Sequence, residues 1–197
     1  MSDWTSLRYA VVDVEGNGQH PPDLVELAVV PIVGGAIGEP VNWLVKPPRS
    51  IKYYATHIHG LTNKDLMDAP VFGDIAGEVR AALSVDVLLA HNAHVDVGVL
   101  RRHLGEWECP EVLDTLKLAK RLRPNQMSYK LGALVEAFSL ADGLSADLLP
   151  HRATYDALVT ARLFVRLATR DDESPLTLAE LRDEKQGGED DETPSLF

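Results

Sequence analysis

The first 46 residues contain three runs rich in Val, Ile and Leu, at residues 7–15, 24–33 and 36–46. Segments rich in Gly, Pro, Asn and Asp separate these runs, which is the pattern of strands joined by tight turns. The pattern therefore predicts a three-stranded antiparallel meander. Shorter apolar runs at residues 85–90 and 112–114 predict two further strands.

Helical patterns accompany the last two strands. Thr62 and Asp65 resemble a capping box that opens a short helix ended by Pro70. Apolar residues at helical spacing predict further helices at residues 71–83, 95–107, 116–122, 131–140 and 154–169. Antiparallel strands followed by alternating strands and helices indicate an α/β fold with a mixed sheet. Its five strands would be the meander plus two parallel strands, flanked by helices.

The length of 197 residues suits one domain with a tail. Residues 1–170 are predicted to form this domain. Thr177 and Glu180 resemble a second capping box, which predicts a short helical extension over residues 171–186. Residues 187–197 are highly acidic and poor in apolar side chains, so this tail is predicted to be disordered.

Cysteine content and hydropathy indicate the cellular compartment of the protein. Cys109 is the single cysteine, so no internal disulfide can form, which favours a reducing compartment. The longest apolar stretch, residues 27–37, is too short and too interrupted to cross a bilayer. The N-terminal segment lacks the pattern of a secretory signal. These features predict a cytoplasmic protein that does not associate with membranes.

The net charge of −11 argues at first against nucleic acid, because most nucleic-acid-binding proteins are basic. The charge is unevenly distributed: residues 171–197 hold ten acids and two bases, whereas residues 1–170 hold 20 acids and 17 bases. A body so close to neutrality could bind a nucleic-acid end weakly, with bound cations supplying local positive charge. Tight non-specific DNA binding is not expected.

Three short acidic motifs lie far apart along the chain. Asp13 and Glu15 are two residues apart on the first predicted strand and therefore point to the same face. Asp96 opens a predicted helix, and His151 precedes Asp156 at the start of the last long helix. Carboxylates that converge in a fold repel each other unless cations lie between them. Together the motifs predict divalent metal ions and hydrolysis of a phosphodiester.

Each motif taken alone also has a structural explanation. Asp13 and Glu15 could form a solvent-facing strand edge, since most acidic residues are exposed. Asp96 could stabilise a helix N-terminus through the unpaired N–H groups there. His151 could be an ordinary surface or structural residue. The functional interpretation therefore depends on the order of the motifs and on their local context.

The combination resembles the DEDDh family of 3′–5′ exonucleases, which includes the proofreading subunit of the bacterial replicative polymerase and has an RNase H-like fold. The main matches are VDVEGNG at residues 12–18, HNAHVD at 91–96 and HRATYDA at 151–157. Shorter matches are IHGLT at 58–62, LDTL at 113–116 and SYKL at 128–131. The matched region covers about residues 7–168.

The resemblance implies a catalytic role for five residues. Asp13, Glu15 and Asp156 would bind one metal ion directly. Asp13 would also reach a second ion, with Asp96 assisting through water, so that all four carboxylates serve the metal site. His151 would accept a proton from the attacking water. Two Mg²⁺ or Mn²⁺ ions suit carboxylate ligands and in-line displacement at a phosphodiester.

Substrate contacts are expected from loops around this site, because a strand end requires stacking and phosphate contacts. The candidates are Gly16, Asn17, Gly18, His59, Asn92, Tyr129 and Lys130. Further candidates, which could equally pack a loop or form a solvated face, are Tyr53, Tyr54, His57, Arg121 and Arg123. By the resemblance, His59 would lie near the terminal nucleotide. Gly16 departs from the family pattern, in which Thr is common, so a side-chain hydroxyl contact to that nucleotide is lost.

The chain ends in Thr-Pro-Ser-Leu-Phe. Leu196 and Phe197 are similar to the ends of bacterial sliding-clamp-binding peptides, although the usual leading Gln is missing. Such a tether would raise the effective concentration of the protein at DNA. A tail without a partner is the other explanation, because short motifs arise easily by chance. A polymerase is a further candidate partner.

The favoured function is a metal-dependent exonuclease that releases nucleoside 5′-monophosphates from DNA 3′ ends, single-stranded or frayed, in proofreading or repair. An exoribonuclease or oligoribonuclease that trims RNA is the alternative within the family, since no residue identifies a 2′-hydroxyl sensor. A non-catalytic polymerase or clamp accessory module is the alternative of another class. That alternative predicts loss of the metal ligands, yet all four carboxylates and His151 are present.

Overall fold

The computed structural model describes residues 3–182. In this part of the chain a mixed sheet contains six strands: β1 (Arg8–Gly16), β2 (Leu24–Val33), β3 (Ala36–Ile37), β4 (Val41–Leu44), β5 (Val87–Ala90) and β6 (Glu111–Asp114). The strand order is β3-β2-β1-β5-β6, and β4 pairs with β2 as well. Strands β1 to β4 pair antiparallel, whereas β1, β5 and β6 run parallel.

Seven α-helices and one short 3₁₀ turn (Trp4–Ser6) accompany this sheet within the described range. The helices are α1 (Tyr53–His59), α2 (Phe72–Ala82), α3 (His94–Leu104), α4 (Thr115–Leu122), α5 (Leu131–Phe138), α6 (Ala153–Ala168) and α7 (Leu178–Arg182). None of the helices in this range is long and apolar enough to cross a bilayer. The predicted mixed α/β architecture, with an antiparallel meander and two parallel strands, is confirmed.

The third run of the meander forms two short strands instead of one. Gly34 and Gly35 turn the chain with positive φ angles of 59° and 79° and start β3. Gly38 then donates its N–H to the carbonyl oxygen of Pro31 at 2.8 Å, and Pro40 has no N–H to offer a sheet. The chain therefore leaves the sheet after Ile37 and returns as β4.

The sequence patterns predict the helix ends less accurately than they predict the strands. Helix α1 was not predicted, because its sequence YYATHIH lacks a clear apolar stripe. Thr62 and Asp65 do form the reciprocal hydrogen bonds of a capping box, but the segment that follows forms turns and no helix. Helix α3 ends at Leu104, where Gly105 adopts a positive φ angle.

The C-terminal predictions are only partly within the described range. Thr177 and Glu180 exchange capping hydrogen bonds at the start of α7, as the sequence suggested. The predicted acidic tail at residues 187–197, including Leu196 and Phe197, lies outside the described residues. The predicted boundary between domain and extension stays a prediction.

Alternation along β1 divides the core into two layers. Tyr9 and Val11 face one layer, where they meet α6, while Ala10 and Val12 face α2 and α3. Phe164 of α6 fills the first layer, with its ring centroid 5.0 Å from that of Tyr9. Full burial of such a side chain contributes about 1.5–3 kcal/mol. Because of the same alternation, Asp13 and Glu15 continue the row that faces α6.

Candidate active site

Three carboxylates from the two ends of the sequence converge beside the sheet. Asp13 and Glu15 project from the C-terminal half of β1, and Asp156 lies in the first turn of α6. One carboxylate oxygen from each of the three lies within 4.8 Å of the others. Helix α6 packs on the face of β1 that carries both acids, and this packing brings the distant motifs together.

Asp96 approaches from the other layer of the fold. It lies in the first turn of α3, directly after the end of β5, and is only 5% exposed. Its Oδ1 atom accepts a hydrogen bond from the backbone N–H of Val14 at 3.1 Å. Asp96 is not part of the three-residue group with the short spacing. This position is compatible with a role through water, which the resemblance implies.

The four carboxyl groups all have raised pKa values. Burial raises the pKa of Asp13 well above its ordinary value, and the charges of Asp96, Asp156 and Glu15 raise it further. Burial raises the pKa of Glu15 to about 8, with Asp156 the largest charged contributor. Burial also raises the pKa of Asp96 to about 7 and that of Asp156 to about 6. The fold therefore concentrates negative charge in a place where it is poorly solvated.

A divalent cation fits this group of residues. The donors of the three-residue group are all carboxylate oxygens, which hard cations such as Mg²⁺ and Mn²⁺ prefer over the nitrogen and sulfur ligands typical of zinc. A cation between the carboxylates would offset both the repulsion and the desolvation that raise their pKa values. Asp13, Glu15 and Asp156 are the residues whose spacing allows them to share one ion.

His151 is exposed and lies immediately before α6. Its φ angle is 63°, in the left-handed region that non-glycine residues seldom adopt. Burial raises the pKa of Asp156, and the charge and the backbone of His151 partly offset this effect. His151 therefore lies near the acidic group.

The glycines after Glu15 lie against helix α1. A Cβ atom at Gly18 would be 2.9 Å from Cζ of Tyr54, and the Tyr54 hydroxyl donates a hydrogen bond to the Gly18 carbonyl. At Gly16, a Cβ atom would be 3.0 Å from Cβ of Pro22. His59 is buried beside the Gly16 backbone, and its Nε2 atom has no partner within the described range. Small residues are therefore required on this side of the site.

The two candidate asparagines have structural hydrogen bonds. Asn17 is fully buried, and its side chain binds the backbone of Gln19 and Asp23, the carboxylate of Asp23 and the carbonyl of Arg49. These bonds hold the loop that connects β1 and β2. Asn92 has a φ angle of 69° and donates its backbone N–H to Asp114 at 2.9 Å. A substrate role for either residue stays a prediction.

Tyr129 and Lys130 lie at the start of α5. The Tyr129 hydroxyl donates to the carbonyl of Arg123 at 3.0 Å, and the Tyr129 carbonyl contacts Nε2 of His91 at 2.9 Å. Lys130 is exposed. Arg123 forms an ion pair with Asp171, and Arg121 donates to the carbonyl of Leu181, so both arginines already have partners. The fold links Tyr129 to the segment before Asp96 but brings none of these four residues into the carboxylate group.

Helix α1 presents an aromatic pair to solvent. The Tyr53 side chain is 79% exposed, and its ring centroid lies 4.0 Å from that of His57. Tyr54, one residue further on, packs against Gly18. The pair of Tyr53 and His57 therefore lies on the helix that borders the glycine segment of the site.

A fifth carboxylate near the site was not predicted from the sequence. Glu26 of β2 is paired in register with Glu15 of β1 and is almost completely buried. Its carboxylate binds the guanidinium group of Arg152, the residue after His151. A single Glu within an apolar strand gives no functional signal by itself; its cross-strand position opposite Glu15 is the only clue.

Comparison with known proteins gives a consistent family assignment. A family model described as exonuclease, of the RNase T type, matches residues 10–164. The 3′–5′ exonuclease DinG of Bacillus subtilis (strain 168) is 32% identical over 183 residues, which cover 89% of this chain and 19% of that protein. Exodeoxyribonuclease 10 of Escherichia coli (strain K12) is 34% identical over 155 residues, which cover 79% of this chain and 66% of that protein.

A solved structure agrees with this assignment. Exonuclease X in complex with 5′ overhanging duplex DNA has a TM-score of 0.71 to this chain at 30% sequence identity. The match covers 88% of this chain and 98% of that chain. In contrast, this chain spans about a fifth of the length of DinG and about two thirds of exodeoxyribonuclease 10. What is shared is therefore the exonuclease domain.

Proposed function

Because the chain belongs to the exonuclease family, we propose that it hydrolyses phosphodiester bonds at the 3′ ends of DNA and releases nucleoside 5′-monophosphates. The observation that carries the proposal is the convergence of Asp13, Glu15 and Asp156 to within 4.8 Å of one another, with the exposed His151 just before the helix that carries Asp156. A non-catalytic module would have no need to retain a group of acids whose repulsion opposes folding.

The acidic residues would together bind two divalent ions. Asp13, Glu15 and Asp156 would bind one ion, and Asp13 would also contact the second, with Asp96 acting through water. Bound Mg²⁺ or Mn²⁺ supplies Lewis-acid activation of water and stabilisation of the leaving oxygen. Asp96 has its Oδ1 atom on the Val14 amide, so it also fixes the backbone between Asp13 and Glu15.

His151 would act as the general base. Its exposed ring can meet a water molecule at the edge of the carboxylate group, and histidine accepts a proton near neutral pH. The charge of His151 acts on the pKa of Asp156, which places the histidine near this edge. The proton taken from the water would then pass to solvent, because the ring is exposed.

The terminal nucleotide would contact the segment Gly16–Gly18 and the buried ring of His59. The Nε2 atom of His59 is buried without a partner among the described residues, so it would donate to a phosphate or sugar oxygen of a strand end that reaches it. Gly16 offers only backbone groups, so terminal contacts would depend on N–H and C=O donors and acceptors. We expect weak preference among the four terminal bases for this reason.

Tyr53 and His57 would form a stacking surface for the nucleotides that precede the terminus. Replacing Tyr53 with Ala should weaken binding of single-stranded DNA by about 1–3 kcal/mol, because base stacking on an aromatic ring is lost. Tyr53→Phe keeps the ring and should bind like wild type. Fluorescence anisotropy with an oligonucleotide measures both variants. Equal affinity of Tyr53→Ala and wild type would exclude this surface.

The similar proteins support DNA as the proposed substrate. One relative is called an exodeoxyribonuclease, and the solved structure with 98% coverage contains duplex DNA with a 5′ overhang. A polymerase, and a sliding clamp bound through Leu196 and Phe197, stay predictions about partners. Deletion of the last two residues, followed by measurement of clamp binding, addresses the second.

The test of the proposed function is degradation of end-labelled oligonucleotides. Single-stranded DNA, duplex DNA with a mispaired 3′ terminus, and RNA of the same sequence should be compared in Mg²⁺, in Mn²⁺ and in EDTA. We expect mononucleotides from the 3′ ends of DNA with either metal and no products in EDTA. Faster degradation of RNA than of DNA would favour the exoribonuclease alternative. Activity that persists in EDTA would contradict the metal-dependent mechanism.

A further inference from the structure

Glu26 is a buried carboxylate next to the proposed catalytic group. It lies on β2 directly opposite Glu15 of β1 and is 1% exposed. Burial alone would raise its pKa, but hydrogen bonds from Arg152, the Ala153 backbone and Asn42 lower the pKa below its ordinary value. Glu26 is therefore ionised and paired, in contrast to Asp13 and Glu15, whose pKa values are raised.

Arg152 and Glu26 form a two-pronged ion pair. The Nε atom of Arg152 donates to Oε2 at 2.9 Å, and its Nη2 atom donates to Oε1 at 2.8 Å. This geometry uses the planar fork of the guanidinium, which a lysine cannot reproduce. Oε2 of Glu26 also accepts the backbone N–H of Ala153 at 3.1 Å. Asn42 of β4 donates to Oε1 at 2.8 Å.

These contacts fix the first turn of helix α6. The helix has no side-chain cap of its own at Arg152, so the carboxylate of Glu26 satisfies an N–H group that would otherwise lack a partner. The carbonyl of Arg152 in turn accepts the N–H of Asp156 at 3.0 Å. Strand β2 is thus connected through one residue to the turn that carries Asp156.

The same contacts hold His151 in an unfavourable backbone conformation. A non-glycine residue in the left-handed region persists only when its surroundings determine it. His151 has a φ angle of 63° and is followed at once by Arg152, which is fixed to Glu26. The backbone N–H of Arg152 also donates to the carbonyl of Leu149 at 3.2 Å, which closes the turn that contains His151. Loss of the ion pair would remove the side-chain restraint on Arg152 and leave its backbone hydrogen bonds.

We propose that Glu26 and Arg152 are positioning residues, which hold His151 and Asp156 in place for catalysis from the neighbouring strand. This inference rests on the proposed function. It does not assign Glu26 to the metal or to the substrate, because its oxygens are already occupied by Arg152, Ala153 and Asn42. The ion pair acts through the backbone that joins Arg152 to the histidine and to α6.

The test begins with Glu26→Gln, which keeps the size of the side chain but removes the charge that holds Arg152. We expect kcat to fall by about 10- to 100-fold, the usual effect of removing a contact that orients a catalytic group. KM for single-stranded DNA should stay within about twofold of wild type, since the stacking and glycine segments are untouched. Arg152→Lys should change kcat in the same direction, even if Glu26→Gln folds poorly.

A double-mutant cycle separates positioning from general stability. If Glu26 acts through His151, then Glu26→Gln in a His151→Asn background should lower kcat by much less than it does in wild type. Fully additive losses would show that Glu26 does not act through His151 and would overturn that half of the proposal. Asn42→Ala is the matched control, because it removes a hydrogen bond from the same carboxylate but leaves Arg152 and Ala153 bound. This control should retain kcat within about twofold of wild type.

Amide hydrogen exchange gives a readout that does not depend on turnover. In metal-free protein, Glu26→Gln should accelerate exchange at residues 151–156 while β1 and β5 keep their protection. Unchanged exchange there, together with unchanged kcat, would reject the positioning role while the nuclease itself remains active. If wild type shows no metal-dependent cleavage, the proposed function fails instead, and the two outcomes are distinguishable.

Discussion

Replacement of Asp13 with Asn should nearly abolish nucleotide release, by at least about 10³-fold in kcat, while the protein stays folded. Asp13 is the one carboxylate expected to contact both metal ions, and burial together with the charges of Asp96, Asp156 and Glu15 raises its pKa. Asparagine retains the shape of the side chain but is a much weaker ligand. Mononucleotide release in Mg²⁺ measures the effect, and Asp68→Asn, the same change on an exposed turn, is the control.

The same substitution should lower activity but raise the thermal stability of the metal-free protein. Burial and the neighbouring carboxylates raise the pKa of Asp13, so the folded state disfavours its charged form. Such a group lowers stability progressively as the pH rises from its unfolded value towards its raised folded value. At pH 7 in EDTA, Asp13→Asn should therefore unfold at a higher temperature than wild type. A lower unfolding temperature in EDTA would contradict the crowded-carboxylate explanation.

Metal ions should reverse the order of the unfolding temperatures of wild type and Asp13→Asn. Ligands that bind only the folded state stabilise it by mass action, so Mg²⁺ or Mn²⁺ should raise the unfolding temperature of wild type. Asp13→Asn should lose most of this increase because one shared ligand is missing. Equal metal-induced shifts in both proteins would mean that the ions bind elsewhere.

The strands of this fold were predictable because their signal is local. The strands β1 and β2 are nine and ten residues long and mostly apolar, and turn-forming residues delimit them. The side-chain alternation on β1 also allowed Asp13 and Glu15 to be placed on one face from the sequence alone. Helix α1 offered no such periodicity, and its position depends on tertiary contacts, such as that between Tyr54 and Gly18.

The supporting residues of the site could not be found in the same way. Glu26 and Arg152 are separated by 126 positions in the sequence, so no local pattern connects them. Asn17 illustrates the converse case: it lies in a motif that suggested a substrate contact, yet the structure uses all its side-chain groups to hold a loop. Residue type and spacing suggest which chemistry is present, whereas burial and hydrogen bonding decide which polar groups are available for it.

His151→Asn should slow hydrolysis by about 10²–10⁴-fold, the usual contribution of a general base, without loss of DNA binding. Asparagine is chosen because it tolerates the left-handed conformation that His151 adopts, whereas alanine would add backbone strain to the loss of the imidazole. Single-turnover rates at several enzyme concentrations separate the chemical step from binding. His94→Asn, a change at another exposed histidine, should react like wild type.

Rescue by free imidazole distinguishes a base from a structural residue. Glycine accepts a φ angle of 63° without strain and leaves space where the ring was, so His151→Gly should be as slow as His151→Asn but should recover part of its rate when imidazole is added. Recovery should be absent in His151→Asn, whose side chain fills part of that space. If neither variant loses turnover while both unfold at lower temperature, His151 serves the loop and not the proton transfer. The residue is exposed and its charge acts on the pKa of Asp156, as expected for a base beside the carboxylate group.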